Sequence, residues 1–386
     1  MPGMTKRKYQ GELIRFQKSI NRPLGMMAEI LKPGYTIDDL REGFKKYYPY
    51  EWQIICERYK QYSQKDNFLV SVGKKRRYKP MKPNKYFEEL PKVKYLMSVG
   101  YRKKHAEIYN EVVRQEKEKN LEKKRLNKIQ VRNEKINLKK QNMQIVEPLF
   151  LEALISAYHK KGNTIEDKLE IFKEIQKFDC DRATQFFYKL NDSERNNQIR
   201  NMAFQHLQNT GHYVKLRKNF KGKKKIYMTE NSNFYVTPAD LAKRLELKTS
   251  VQNKKRYDVF LSHSSKDAEQ IRNIMHILNK EGLVCYCDWT SDNDFLKRSM
   301  VSDYTKEVLK KRMLQSENLI YICSKNSRQS KWVRFELDYY KNYGKGKIYV
   351  INLDDQDLKK NAENYKELSY NQSNRSITVE CLKKDK

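Results

Sequence analysis

The sequence has no long hydrophobic run and few cysteines. Nothing in its 386 residues approaches the ~18 uninterrupted apolar residues of a membrane-spanning helix, and the N-terminus lacks the apolar stretch of a signal peptide. Its six cysteines and six histidines form neither a C-x-x-C pair nor an H-x-x-x-H pair. We therefore expect a cytoplasmic protein with reduced thiols, without a structural metal and without a membrane partner.

Acidic residues are scarce, and their scarcity is uneven. The chain has 81 Lys and Arg against 48 Asp and Glu, a formal net charge of +33 at pH 7 with neutral histidines. Residues 1–255 carry 57 against 29, a balance of +28, whereas residues 256–386 carry 24 against 19, a balance of +5. An excess of this size favours a polyanionic partner such as nucleic acid. A lysine-rich composition with solvated faces explains the same charge, and charge alone does not separate the two.

The first part of the chain, residues 1–98, is predicted to be a basic region of helices and loops. "TIDDLREGFKKYY", residues 36–48, begins with the N-cap residue Thr36 and has acidic residues in its first turn, which predicts a helix. Residues 72–93 hold three prolines and a KKRR cluster, which predict a loop or an extended basic segment.

Residues 99–250 are predicted to form a long helix, a helical domain and a basic hairpin. From about 100 to 146 the chain has no Pro and no Gly after Gly100, and its imperfect apolar heptads make a coiled-coil pairing one option. Residues 211–230 alternate apolar and basic residues around "FKGKKK", as in a β-hairpin with a basic tip. The hairpin is either a nucleic-acid-binding wing or an ordinary solvated one. We interpret residues 99–250 as a sensor or assembly region.

From residue 256 the periodicity changes to alternating strands and helices. The predicted strands are "YDVFLSH" (257–263), "LVCYCDW" (283–289), "LIYICS" (319–324) and "KIYVINL" (347–353). This order predicts a parallel sheet with helices on both faces, in a domain of residues 255–386. A fifth strand is indicated only by "SITVE", residues 376–380.

Polar side chains follow the predicted strands. The first strand ends in Ser262, His263 and Ser264, and the second ends in Asp288, from which a loop of mixed charge, 290–300, departs. In parallel sheets ligands bind beyond the carboxyl ends of the strands. We therefore expect these side chains to meet at one edge of the sheet.

A single acid lies on the packing face of the third helix of this domain. Trp332, Phe335, Glu336 and Tyr339 follow the i, i+3, i+4, i+7 spacing of one buried stripe. A lone Glu in such a stripe usually lies at its edge and reaches water or a basic partner. The alternative is a functional acid in an apolar pocket, and the stripe by itself does not decide between them.

"YDVFLSHSSKD", an Asp ending the second strand, a variable loop and W-x-x-x-E in the third helix together resemble a TIR (Toll/interleukin-1 receptor) domain of the bacterial type. The resemblance covers about residues 255–355 and none of the first 250. It implies a flavodoxin-like fold and, for many such domains, cleavage of NAD⁺ at the nicotinamide–ribose bond, with the helix Glu, here Glu336, as the essential acid. The residues then expected to bind the substrate are Asp288, Ser262, His263, Ser264, Trp332, Phe295 and Lys297.

The chemistry of this bond agrees with a single acid. Breaking an N-glycosidic bond builds positive charge on the ribose, as in other glycosyl transfers. Nicotinamide is already a cation in NAD⁺ and departs neutral, so no second carboxyl group is needed to protonate it. One carboxylate suffices to stabilise the developing cation and hold the ribose hydroxyls.

We therefore interpret the chain as a TIR-domain NAD⁺ glycohydrolase or cyclase with NAD⁺ as substrate and no cofactor. The resemblance further implies an effector of anti-phage defence that is activated by assembly of TIR domains into a homo-oligomer. Self-association through the N-terminal helix of residues 100–146 is a further hypothesis. Its trigger would be nucleic acid or a phage or partner protein that binds the N-terminal region. The alternative is a non-catalytic TIR scaffold coupled to a nucleic-acid-binding N-terminal region.

Overall fold

The computed structural model describes residues 4–212, 214, 237–247, 250–293, 296, 302–353, 365–371 and 376–382. The described chain forms two compact units, one from within residues 1–136 and 211–215 and the other from within 137–210 and 216–386. None of the described helices is at once long and apolar enough to cross a membrane. The predicted hairpin lies, from residue 215 onward, outside the described residues.

Helices make up the regular structure described before residue 141. In chain order they are α1 (Met4–Ile30), α2 (Ile37–Tyr47), α3 (Pro49–Ser71), α4 (Pro83–Glu88), α5 (Pro91–Leu96), α6 (Val99–Glu107) and α7 (Glu111–Lys140). The first unit has its own hydrophobic core, in which Leu40, Phe44, Phe87 and Leu96 are fully buried.

The structure confirms two N-terminal helix predictions and changes the bounds of one helix and one loop. Thr36 caps α2, accepting a hydrogen bond from the Asp39 N–H while the Asp39 carboxylate accepts one from the Thr36 N–H. The long helix predicted over about 100–146 is present as α7 but starts later and ends earlier, because the chain leaves the helix after α6 and Asn110 caps the start of α7. The loop predicted over 72–93 holds as far as Lys82, after which α4 and α5 each begin with a proline at the first helical position.

The second unit begins with helices and continues into an α/β domain. The helices are α8 (Leu151–Tyr158), α9 (Ile165–Ile175), α10 (Asp181–Ser193), α11 (Asn197–Asn209) and α12 (Pro238–Glu246). The α/β part comprises β1 (Tyr257–Ser262), α13 (Ala268–Lys280), β2 (Cys285–Tyr286), α14 (Asp288–Ser291), α15 (Asp303–Leu314), β3 (Ser316–Cys323), α16 (Lys325–Arg328), α17 (Lys331–Tyr343), β4 (Ile348–Asn352), β5 (Lys366–Glu367), β6 (Tyr370–Asn371) and β7 (Ser376–Ile377).

The predicted parallel sheet is confirmed. Its strand order is β2-β1-β3-β4-β5, and every neighbouring pair is parallel. This is the flavodoxin-like order, in which the chain reverses direction across the sheet between β1 and β3. The fifth strand is β5, not "SITVE", whose first two residues form β7 and pair antiparallel with β6. The pattern misses β5 because it has two exposed, charged residues.

A glutamine side chain completes the open edge of the sheet. Gln144 is buried, its Nε2 donates to the Cys285 carbonyl oxygen at 2.7 Å, and its Oε1 accepts from the Cys285 N–H at 3.0 Å. Asn279 of α13 holds the same amide by donating to Gln144 Oε1 at 3.1 Å. Because β2 is an edge strand, this amide satisfies backbone groups that would otherwise lack partners.

Buried ion pairs fix the segment that follows β2. Arg312 of α15 donates from Nε to Asp292 Oδ2 at 2.8 Å and from Nη2 to Asp292 Oδ1 at 2.9 Å, and both residues are fully buried. Its Nη2 also donates to Gln252 Oε1 at 2.7 Å. Lys255 Nζ lies 2.6 Å from Glu174 Oε2 and 3.8 Å from Asp292 Oδ1. Since Glu174 belongs to α9, the network joins the helices before residue 210 to the α/β domain.

Candidate active site

A cavity of about 380 Å³ opens at the carboxyl ends of β1 and β2. Its described lining residues are Phe260, Leu261, His263, Ser264, Ser265, Asp288, Leu296, Thr305, Leu309, Ser330, Trp332 and Glu336. The volume is in the range of small-molecule sites, and the position is the switch point at which ligands bind in open α/β sheets. The strand ends and α17 therefore converge as the sequence pattern predicts.

Glu336 is buried at the wall of this cavity. It lies in the second turn of α17 and is 8% exposed. The Ser262 hydroxyl, at the end of β1, donates to Glu336 Oε2 at 2.6 Å. Within the described ranges, no Lys or Arg forms an ion pair with Glu336. The single acid of the aromatic stripe thus has a neutral donor and no counter-charge.

Burial raises the pKa of Glu336 to about 8. The Ser262 hydrogen bond acts in the opposite direction, because it favours the carboxylate, and the negative charge of Asp288 adds a smaller upward contribution. A carboxyl group with a pKa in this range exchanges its proton near neutral pH. Such groups cluster at functional sites, because a structural acid usually has a cation or several donors.

His263 is held by two hydrogen bonds that define its tautomer. Its Nδ1 lies 2.9 Å from the Leu261 carbonyl oxygen, which can only accept, so Nδ1 carries the hydrogen. The indole N–H of Trp289 donates to His263 Nε2 at 2.7 Å, which requires Nε2 to be unprotonated. The Arg272 guanidinium lies over the Trp289 ring at 4.9 Å from its centre. The imidazole is therefore presented to the cavity as a neutral group.

Asp288 combines exposure with one unsatisfied oxygen. Its side chain is 46% exposed, but Oδ1 is buried and has no hydrogen-bond partner among the described residues. Oδ1 lies 3.6 Å from His263 Nε2, whose lone pair already accepts from Trp289. An acceptor left open at the wall of a cavity is suited to a ligand hydroxyl group.

The other predicted site residues have different places. Ser264 and Trp332 line the cavity. Phe295 and Lys297 lie outside the described residues, although their neighbour Leu296 lines the cavity and its N–H donates to the Asp292 carbonyl oxygen at 2.8 Å.

Ser324, which ends β3, does not join the cavity lining described here. It caps α16 and donates to Asp267 Oδ2 at 2.6 Å.

One group of side chains has the spacing of metal ligands. His263, Cys287 and Asp288 each offer a ligand atom, and these atoms lie within 4.8 Å of one another. The donors are nevertheless engaged or protonated: His263 Nε2 accepts from Trp289, and burial raises the pKa of the Cys287 thiol well above its ordinary value. A metal needs the free lone pair and the thiolate, so the arrangement does not fit one.

Trp289, Thr305 and Leu309 are further residues at the site, and the sequence pattern does not predict them. For Trp289 a local signal exists, because this aromatic donor follows Asp288 directly at a strand end. Thr305 and Leu309 lie on α15, and only the tertiary structure brings that helix to the cavity.

Comparisons with known proteins agree with this architecture. Residues 259–378 match the family model of the TIR domain. Over 356 residues the chain is 52% identical to a Cytobacillus dafuensis protein named "Putative cyclic ADP-D-ribose synthase TIR2", and the match spans 92% of this chain and 93% of that protein. No solved structure is significantly similar to the chain.

Two further relatives match only in part. A Bacillus cereus protein named "Probable 3' cyclic ADP-D-ribose synthase ThsB'" is 40% identical over 86 residues, 22% of this chain and 44% of that protein. A Methanobrevibacter olleyae protein named "Probable 2' cyclic ADP-D-ribose synthase TcpO" is 25% identical over 130 residues, 33% of this chain and 36% of that protein. Because the match to the Cytobacillus dafuensis protein spans nearly the full length of both proteins, the chain belongs to the TIR-domain protein family.

Proposed function

We propose that this protein cleaves the nicotinamide–ribose bond of NAD⁺ and releases a cyclic ADP-D-ribose, with Glu336 as the essential acid. The observation that carries the proposal is the buried Glu336 carboxyl group, which meets a cavity of about 380 Å³ and has no counter-charge among the residues that the structure describes. The names of three relatives, all cyclic ADP-D-ribose synthases, support the choice of substrate and product.

The first step breaks the bond between the ribose C1′ and the nicotinamide nitrogen. The bonding electron pair leaves with nicotinamide, which becomes neutral, and positive charge develops on the ribose. The Glu336 carboxylate would stabilise that charge inside an apolar wall, where an electrostatic interaction is stronger than in water. The Ser262 hydroxyl orients the carboxylate through its hydrogen bond at 2.6 Å.

The second step closes the product. A nucleophilic atom of the adenosine half attacks C1′ and loses one proton, so NAD⁺ yields cyclic ADP-ribose, nicotinamide and H⁺. Glu336, once ionised, is able to accept that proton, because its pKa in the free protein is about 8. Attack by water instead gives linear ADP-ribose, so exclusion of water from the cavity decides between the two products.

Glu336 must ionise before it can stabilise a cation. In the free protein its pKa of about 8 leaves it largely protonated at pH 7. The positive charge of the nicotinamide ring favours the carboxylate, so binding of NAD⁺ lowers this pKa. The substrate thus provides a counter-charge that the described residues do not.

The residues around Glu336 would position the substrate. The open Asp288 Oδ1 is suited to accept a ribose hydroxyl group, and the neutral His263 and Ser264 offer polar contacts at the same rim. The Trp332 ring forms part of the wall against which a flat nicotinamide ring can pack. Phe295 and Lys297 remain predicted ligand or subunit contacts.

We propose the remaining biology on the family resemblance. The enzyme would act in the cytoplasm, where its substrate is abundant, as an effector of anti-phage defence. Activation would come from assembly of TIR domains or from a trigger bound by the basic N-terminal region, with residues 1–98 and 99–250 as the sensing or assembly parts.

The test is NAD⁺ turnover by the purified full chain, concentrated to favour assembly, with nicotinamide and cyclic ADP-ribose resolved by chromatography. Glu336→Gln keeps the acceptor for Ser262 and should lower turnover about 100- to 1000-fold, the usual cost of losing one electrostatic stabiliser. Glu269→Gln, an exposed acid on α13, is the matched control and should leave turnover unchanged. Equal, measurable rates for parent and Glu336→Gln would refute the role of Glu336, and no turnover by either protein would favour a non-catalytic scaffold.

A further inference from the structure

Five cations lie close together on the segment that follows α3. We call residues 74–79 the basic arm; its cations are Lys74, Lys75, Arg76, Arg77 and Lys79, and all five side chains are exposed. The sequence has no acidic residue between positions 67 and 87. Among the described residues, none of these five forms an ion pair. The arm therefore presents a net positive charge, although Arg76 is near enough to Asp66 to lower the pKa of that carboxyl group.

The backbone of the basic arm is fixed to α3. Asp66, a buried residue of α3, accepts hydrogen bonds from the N–H groups of Arg77 at 2.8 Å, Tyr78 at 2.9 Å and Lys79 at 2.6 Å. Lys79 has a φ of 45°, a left-handed conformation that is uncommon for a side chain with a Cβ. Strained residues persist where the surroundings determine them, and they concentrate at functional sites. A merely solvated lysine run would not need this arrangement.

Aromatic side chains lie within the basic arm and just before it in the chain. The Tyr78 ring packs against the rings of Tyr9 and Tyr62, with centres 5.2 and 4.8 Å away, and this contact fixes the middle of the arm. Phe68, in the last turn of α3, is 66% exposed, an unusual state for a phenylalanine. The Lys74 N–H donates to the Leu69 carbonyl oxygen at 2.7 Å, so the arm starts beside Phe68.

We infer that the basic arm and Phe68 form a binding surface for single-stranded nucleic acid. Cations along a fixed backbone suit the regularly spaced phosphates of a polymer, and an exposed ring suits stacking of an unpaired base. A duplex keeps its bases stacked on each other and would not use Phe68. An anionic bilayer attracts positive charge whatever its spacing. Membrane binding would therefore not explain why Asp66 fixes the backbone of the basic arm. The inference is independent of the activity proposed for Glu336.

The experiment measures binding of fluorescein-labelled oligo(dT) and oligo(rU) of about 20 nucleotides to the full chain by fluorescence anisotropy, over a potassium chloride series. For single strands, log K falls with log salt by about 0.7 per phosphate contact. Arg76→Ser/Arg77→Ser removes two side chains and keeps the Arg77 N–H, so it should lower the slope by about 1.4. The matched control Lys103→Ser/Lys104→Ser, on exposed residues of α6, should leave the slope unchanged.

A second variant tests the aromatic part. Phe68→Ala should weaken oligo(dT) binding about fivefold or more, since stacking of one base contributes ~1–3 kcal/mol. Circular dichroism and an unchanged thermal midpoint would show that α3 remains folded. No binding at low salt, an unchanged slope for Arg76→Ser/Arg77→Ser, or tighter binding to a duplex or to anionic phosphatidylglycerol vesicles would each overturn the inference.

Discussion

Two buried acids of the second unit, Asp292 and Glu336, have pKa values shifted in opposite directions. Asp292 is fully buried and receives two hydrogen bonds from Arg312 and one from the Tyr286 hydroxyl at 3.1 Å. Although burial alone would raise its pKa, the Arg312 guanidinium and Lys255 lower it below the ordinary value. Glu336 is buried almost as deeply, but receives only the Ser262 hydroxyl, and its pKa rises to about 8.

The difference separates a structural acid from a functional one. A buried charge that holds segments together needs a permanent cation, because an unpaired charge in the interior is costly. Asp292 has that cation and joins the segment after β2 to α15. Glu336 has no such cation in the described part of the chain and faces a cavity, so its charge becomes favourable when a cationic ligand enters. The following predictions test this contrast between the two acids.

The largest expected effect is the loss of the structural cation. Arg312→Met should lower the free energy of unfolding by about 3–5 kcal/mol, because it leaves Asp292 buried with its main partner removed. Urea denaturation of the full chain measures the change. Lys306→Met, an exposed lysine on the same helix, should stay within about 0.5 kcal/mol of the parent. If Arg312→Met also changed the free energy of unfolding by no more than about 0.5 kcal/mol, the buried network would not be structural.

Removing the functional acid should have a pH-dependent effect on stability. Above pH 4.5, the ordinary pKa of the group, Glu336 ionises in the unfolded chain but keeps its proton in the folded one up to about pH 8. Its burial therefore costs more stability as the pH rises through this window. Glu336→Gln escapes the cost, so its advantage over the parent in the free energy of unfolding should grow by a few kcal/mol from about pH 5 to about pH 9. An advantage independent of pH would contradict the raised pKa.

The neighbouring charge should modulate Glu336 by a smaller amount. Asp288 raises the pKa of Glu336 through its negative charge. Asp288→Asn should therefore shift the midpoint of the kcat/KM–pH profile for NAD⁺ to lower pH by a fraction of a unit, along with any loss in rate from the missing acceptor. Asp303→Asn, an exposed acid of α15, should leave the midpoint in place. A midpoint that moves to higher pH in Asp288→Asn would contradict this prediction.

The smallest expected effect concerns the indole that holds His263. Trp289→Phe removes the donor to His263 Nε2, so the imidazole loses one of the two hydrogen bonds that orient it at the cavity rim. The KM for NAD⁺ should then rise roughly 3- to 10-fold, with kcat little changed, which is the pattern of lost substrate binding. Steady-state kinetics of the parent and the variant provide the comparison. A loss of kcat as large as the rise in KM would indicate a structural role instead.

The features that could be predicted from the sequence are those whose signal lies in neighbouring residues. The stripe around Glu336 and the strand-end residues Ser262, His263 and Asp288 were predictable, because helix periodicity and strand order place them without knowledge of packing. The cap at Asn110 also has a local signal, an Asn before an acidic residue, which divides the predicted helix.

The remaining features depend on tertiary contacts that leave no local pattern. β5 is two charged residues long, and its pairing with β4 follows from the sheet rather than from alternation. The partnership of Gln144 with Cys285 spans 141 positions in the chain. The stripe likewise does not tell whether Glu336 has a cationic partner. Asp292 receives its partner, Arg312, from another helix, whereas Glu336 has none among the described residues.

The most direct test of the central claim is the pH dependence of kcat/KM for NAD⁺ cleavage by the full chain, which reports ionisations of the free enzyme. The account predicts that kcat/KM rises with pH to a plateau with a midpoint near 8, the pKa of the unpaired Glu336. The kcat profile should have a lower midpoint, because bound NAD⁺ favours the carboxylate. A kcat/KM profile that is flat through this range, or whose midpoint lies near 4.5 as for an ordinary glutamate, would contradict the account.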